Sequence, residues 1–133
     1  MDDTDERTSE SSTRPAPLTL AVHSAAELAT VRSAMRRWLS PPLDAGAADE
    51  VLLASGEALA NAIEHGEAPI TVSLEWSAAD VLVLRVRDSG AWRVSGDTTS
   101  RGLGIPIMTA LMDSFTVETI DGTAIQLSRR FPI

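Results

Sequence analysis

Three clusters in the chain hold residue types at spacings suited to chemistry. The first is Glu57-Ala-Leu-Ala-Asn61-Ala-Ile-Glu64-His65-Gly66. At roughly 100° per residue, Glu57, Asn61 and Glu64 share one stripe of a helix, with Leu52, Leu59 and Ile63 on the opposite side. Such a stripe is most often a solvated face, but two details set this one apart. Its neighbours are small (Ala54, Ser55, Ala58, Ala60, Ala62). Gly56 is costly inside a helix unless something packs closely on it. The second cluster is Asp88-Ser89-Gly90, straight after the apolar-alternating VLVLRVR. A carboxylate there can accept a hydrogen bond from an exocyclic amine, and the glycine lets a ligand approach the backbone; an Asp that only ends a strand is the plainer alternative. The third is Arg101-Gly102-Leu103-Gly104-Ile105-Pro106. Two glycines opening a helix leave its first N–H groups unobstructed, which suits an anion, and Pro106 is tolerated in a first turn. Tight packing at a helix entry would need the same glycines.

The elements that hold these clusters are legible from periodicity. Leu18–Val22 reads as a strand. Ser24 and Glu27 have capping-box spacing ahead of a helix to about Leu39, with Leu28, Val31, Met35 and Leu39 on one face. Ser40-Pro-Pro ends it. A second helix spans about Ala47 to His65, with Gly66 as C-cap. Ile70–Trp76 and Val81–Arg87 alternate with period two and form a hairpin through Ser77-Ala-Ala-Asp80. Residues 89–101 lack periodicity and form a loop. Gly102–Met112 is helical, and Phe115–Ile120 and Thr123–Arg130 flank the turn signal Asp121-Gly122. The order β-α-α-β-β-loop-α-β-β places strands in hairpins. It predicts an α/β two-layer sandwich, with a mixed, mostly antiparallel sheet and helices on one face.

Composition removes whole classes of function. The 133 residues suffice for one domain. All 11 basic residues are arginine, which excludes a Walker-A lysine, a Schiff-base lysine and a Ser–Lys dyad. No cysteine is present, so disulfides, thiolate zinc sites and a cysteine nucleophile are out. Two histidines, His23 and His65, cannot build a histidine metal cage. The net charge of −8 argues against direct nucleic-acid binding, which relies on basic side chains. No apolar run is long enough to cross a bilayer, and the acidic start MDDTDERTSESSTR is unlike a signal peptide; a cytoplasmic location is expected. Residues 1–16 carry five acids against two arginines and almost nothing apolar. They are expected to be a disordered acidic tail ahead of a domain over 17–133.

Taken together and in this order, EALANAIEHG, VRDSGAWR, RGLGIPIMTALMD and DGTAIQL resemble the N box, G1 box and G2 box, with the last hairpin, of the Bergerat (GHKL) ATP-binding fold. Gyrase-type ATPases, histidine kinases and anti-sigma serine kinases share that fold. The closest likeness is to the anti-sigma regulatory factor family, the HATPase-like serine/threonine kinases of partner-switching systems. The resemblance covers about residues 18–131. It accounts for a nucleotide site without lysine, since the fold holds phosphates with Mg²⁺ and backbone amides.

The resemblance implies a role for each matching residue. Asn61 would ligate Mg²⁺, a cation that prefers oxygen ligands and keeps several waters. Glu57 would be the general base for an incoming Ser or Thr hydroxyl. Asp88 would accept the adenine amino hydrogen, with Gly90 admitting the ring. Gly102 and Gly104 would line the phosphates beside Arg101, and Thr123 would lie near the Asp–adenine water network. Residues 91–101 would be a short ATP lid. The G1 box departs from the DxGxG form, reading Asp88-Ser-Gly-Ala-Trp92, where Trp92 stacks on the base or anchors the lid. His65 reads as a structural helix-end residue, and His23 lacks phosphoacceptor context.

The implied function is an anti-sigma factor with ATP-dependent Ser/Thr kinase activity. Its partners would be a sigma factor and an anti-anti-sigma (STAS-type) antagonist, with a homodimer possible. The alternative is an ATP-binding anti-sigma-like module without turnover. Glu57 beside Asn61 favours the kinase. A sensor histidine kinase fragment lacks support, because the chain has neither the dimerisation helix pair nor DxGxG. A gyrase-like ATPase would need a transducer domain that this length cannot hold.

Overall fold

A computed structural model of the chain describes residues 14–90 and 104–132. β1 (Leu18–Val22) leads through a 3-10 turn (Ala25–Glu27) into α1 (Leu28–Leu39) and α2 (Ala45–His65). β2 (Ile70–Ala78) and β3 (Val81–Asp88) follow, then α3 (Ile105–Leu111), β4 (Ser114–Glu118) and β5 (Thr123–Arg130). The sheet runs β1-β2-β3-β5-β4. Every pairing is antiparallel, so the expected sheet forms with no parallel pair.

Period-two alternation decides which face is covered. Val72 pairs with Val86 and Leu74 with Leu84, and those two pair in turn with Ile125 and Leu127. All six are buried. On them pack Val31, Met35 and Leu39 of α1, Val51, Leu52 and Leu59 of α2, and Met108 of α3. Each such side chain contributes about 1.5–3 kcal/mol on burial. The opposite face carries Thr71, Ser73, Arg85, Arg87, Gln126 and Ser128 and meets solvent. The three helices therefore form one layer, as the sequence pattern requires.

Several boundaries differ from expectation for local reasons. Ser24 is extended and makes no cap hydrogen bond. Glu27 instead reaches past it, and its carboxylate accepts the His23 backbone N–H at 2.7 Å. That hydrogen bond, more than the nearby imidazole, holds the Glu27 carboxyl below the usual carboxylate range. α2 begins two residues early because Asp44 caps it, accepting from the Ala47 N–H at 2.8 Å. The Asp-Gly turn is a longer loop, with Asp121 (φ 56°) and Gly122 (φ 104°) both at positive φ.

The chain is also held two residues before the expected end of the tail. The Arg14 guanidinium lies 3.8 Å over the Trp76 ring. The Trp38 indole N–H donates to the Ala16 carbonyl at 2.7 Å. Trp38 stacks on Trp76 at 6.4 Å, and Phe131 meets Trp76 edge-on at 6.0 Å. This aromatic cluster anchors residues 14–16 to the end of α1. Residues 1–13 lie outside the described residues. Among the described residues, no helix is long and apolar enough to cross a membrane.

Candidate functional site

α2 is the backbone of the site. Its apolar side faces the sheet, so the Glu57–Asn61 stripe falls on its flank. Asn61 is buried, at 3% exposure, which a merely solvated face would not produce. Glu57 is half-buried, whereas Glu64 is exposed and lies 3.6 Å from the His65 ring. The stripe therefore divides: Glu57 and Asn61 turn inward, and Glu64 does not.

Asp88 ends β3 and is buried, at 3% exposure. Its Oδ1 accepts the Gly90 N–H at 2.6 Å and the Glu67 N–H at 3.3 Å. Two backbone donors on one oxygen fix the carboxylate's direction. Gly66 caps α2 in an extended conformation (φ −102°, ψ −162°), so the usual left-handed reason for a C-cap glycine does not apply. The reason is space: a Cβ at Gly66 would overlap the Asp88 carboxylate. Gly90 is equally confined, since its Cβ would fall 2.9 Å from the Glu67 nitrogen and 3.0 Å from the Gly66 carbonyl carbon. A Cβ at Gly122 would overlap the Asp88 carbonyl oxygen. Thr123 pairs with Asp88 across the ladder and donates its hydroxyl to the Gly90 carbonyl at 3.0 Å. Three glycines thus surround Asp88. Gly66 is the helix C-cap and Gly122 a turn glycine, as the sequence indicates, but nothing in their local sequence marks the tertiary contact.

The other end of the stripe meets α3. Gly104 is the N-cap of α3, in the left-handed region (φ 69°, ψ 13°). A Cβ there would lie 2.8 Å from the Glu57 Cβ and would overlap its carboxylate oxygen. The predicted helix start at Gly102 therefore moves to Ile105. Arg101, Gly102 and Trp92, together with the whole of the expected lid (residues 91–101), lie outside the described residues. Gly56 behaves otherwise than expected: its Cβ would meet only the Arg32 guanidinium, at an ordinary 3.7 Å. Among the described residues, no close packing demands that glycine.

Gly66 lies nine residues beyond Glu57, about 14 Å along the helix axis. A carboxylate held for hydrogen bonding stands at one end of this line and a second carboxylate against a helix entry at the other, with a buried amide between them. The residues present fit a nucleotide with a hard cation. No group of three or more His, Cys, Asp or Glu is gathered among the described residues. A metal here would thus rest on the neutral oxygen of Asn61, phosphate oxygens and water, the coordination Mg²⁺ favours.

The sequence matches the family model described as the histidine kinase-like ATPase domain over residues 22–129. The chain belongs to that family. The histidine kinase-like ATPase domain thus accounts for nearly all the described residues, and ATP is its implied nucleotide. A crystal structure of the RsbU and RsbW domains of Rv1364c from Mycobacterium tuberculosis is similar, with TM-score 0.70 and 25% identity. The match covers 87% of this chain and 32% of that one, so this histidine kinase-like ATPase domain spans about a third of that protein's length. No curated protein matches the sequence. The two positive matches support the resemblance to HATPase-like anti-sigma regulatory kinases.

Proposed function

We propose that the chain is an ATP-dependent Ser/Thr protein kinase that also acts as an anti-sigma factor, phosphorylating an anti-anti-sigma antagonist in a partner-switching system. One observation carries this reading: Glu57 is set against the α3 entry at one end of the Asn61 stripe, and Asp88 is enclosed at the other. A binding module has no need of a carboxylate at the first position. The similarity to a chain containing an RsbW domain adds support.

Each residue then has a task. Asp88 accepts the adenine amino hydrogen, and Gly66, Gly90 and Gly122 keep its carboxylate in place. Asn61 holds Mg²⁺. Gly104, with Gly102 and Arg101, borders the phosphates. Bound Mg·ATP supplies the phosphoryl group and the charge neutralisation on which transfer mainly rests. Glu57 takes the proton from the incoming Ser or Thr hydroxyl, and one helical turn from Asn61 is a suitable place for it. Sigma binding uses the surface rather than the phosphate site.

The direct test is incubation with γ-labelled ATP and candidate antagonist proteins encoded nearby. Label on a Ser or Thr of an antagonist is the expected result. Binding of antagonist and ATP without label would favour the module without turnover.

A further inference from the structure

A groove of about 190 Å³ lies between α1 and α2, bordered by Leu28, Arg32, Met35, Leu53, Gly56 and Glu57. It opens beside the Glu57 end of the site. α1 carries Arg32, Arg36 and Arg37 and no acid. Arg36 is paired with Asp49 at 2.8 Å. Among the described residues, Arg32 and Arg37 take part in no ion pair. Every other described arginine meets a carboxylate, a carbonyl or an aromatic ring. In a chain of net charge −8, two α1 cations without an ion pair among the described residues suit an anionic occupant.

The chain itself holds one. Residues 1–13 contain Asp2, Asp3, Asp5, Glu6 and Glu10 against Arg7 alone. They join the described structure at Arg14, which is anchored on Trp76. Pro15 shares a second groove with Arg37 and Trp38, so the segment starts at the C-terminal end of α1. Leu28 lies ten residues back along α1 from Trp38, about 15 Å of helix, and crossing to α2 adds about 8–10 Å. Thr4 is ten residues from Arg14 and reaches about 33 Å, whereas Ser12 reaches only about 7 Å. Length and charge therefore agree only for the far end of the segment.

We propose that residues 2–6 of the acidic N-terminal segment occupy the α1/α2 groove beside Glu57 in the same molecule. Their carboxylates meet Arg32 at the rim, with Arg37 along the way, and the uncharged Thr4 lies toward Glu57. Exposed ion pairs are individually weak. A short tether raises the local concentration to about the millimolar range, which makes several weak contacts sufficient. In that position the segment competes with a protein substrate for access to Glu57. The competition rests on the kinase reading; the docking does not.

The absence of cysteine gives a test that needs no nucleotide. In the full chain, Thr4→Cys is combined with Leu53→Cys, a groove residue that is 45% exposed and tolerant of change. Ser12→Cys with Leu53→Cys is the short-reach control. Under mild oxidation the Thr4/Leu53 pair should close an intramolecular disulfide about tenfold or more faster than the control. Arg32→Glu should slow closure of the Thr4/Leu53 pair several-fold, as should about 1 M salt, where charges are screened beyond about 3 Å, and the reach-limited control should respond to neither. Equal rates for the two pairs, or indifference to salt and to Arg32→Glu, would overturn the proposal. So would a rate rising with protein concentration, which would assign the groove to a second copy. A negative kinase assay leaves this result standing, and a negative disulfide result leaves the kinase reading standing.

Discussion

Gly104 and Glu57 occupy one space between them: a Cβ on Gly104 would lie 2.9 Å from the Glu57 carboxyl carbon and overlap its oxygen. The backbone at Gly104 also has φ 69°, where an L side chain costs about 1–2 kcal/mol. Gly104→Ala should therefore lower the melting temperature and displace the Glu57 carboxylate. The expected kinetic signature is a loss of phosphoryl transfer exceeding the loss of ATP affinity. Calorimetry beside a transfer assay checks it, and equal losses would count against Glu57 as the base.

Gly66→Ala acts at the other end. The new methyl overlaps the Asp88 carboxylate, so either α2 ends differently or Asp88 turns away. ATP affinity should fall at least as far as it does in Asp88→Ala. Gly46→Ala provides the contrast, because its Cβ would meet only the Asp44 Oδ1 at 3.7 Å. That change should stabilise α2 by about 0.5–1 kcal/mol. Thermal melts of both variants, with and without ATP, separate the two kinds of glycine.

Gly56→Ala is expected to stabilise. Its Cβ has ordinary contact distance to Arg32, and alanine exceeds glycine in a helix interior by about 1 kcal/mol. A melting temperature below wild type would mean that the groove beside Gly56 is tighter than its geometry indicates.

The sequence pattern revealed the hairpins, the layer of helices and the Glu57–Asn61 stripe, because burial on one face imposes a period on the chain. It could not reveal that Gly66 is a glycine because of Asp88, 22 residues away, nor that Gly122, a turn glycine at φ 104°, also borders the Asp88 carbonyl 34 residues before it. For Gly56 the described residues supply no close neighbour, and propensity states the cost of a helical glycine but not which neighbour, if any, requires it. The Asp44 cap moves the α2 start ahead of Ala47, because one side-chain hydrogen bond to the Ala47 N–H satisfies the first turn where apolar periodicity has not yet begun. The anchoring of Arg14 on Trp76 joins residues too far apart for any local pattern to report.

Asp88 sets the base preference. Its Oδ1 is oriented by the Gly90 and Glu67 N–H groups, so an amine is the partner it suits. Guanine presents a carbonyl at the corresponding position, setting two acceptors face to face, which costs about 1–3 kcal/mol. ATP should bind about tenfold or more tighter than GTP, and Asp88→Asn should lose most of the binding. Equal ATP and GTP affinities by calorimetry would remove Asp88 from the base site.

The measurement closest to the central claim compares Glu57→Gln with Asn61→Ala in ATP binding and in phosphoryl transfer to an antagonist that the wild type phosphorylates. Glu57→Gln keeps the shape and removes the base. ATP affinity should persist while transfer falls by about 10²- to 10⁴-fold, the usual worth of a positioned general base. Asn61→Ala should weaken Mg²⁺-dependent nucleotide binding and abolish transfer together. Transfer by Glu57→Gln at the wild-type rate, with ATP affinity unchanged, would contradict the assignment of Glu57 as the base.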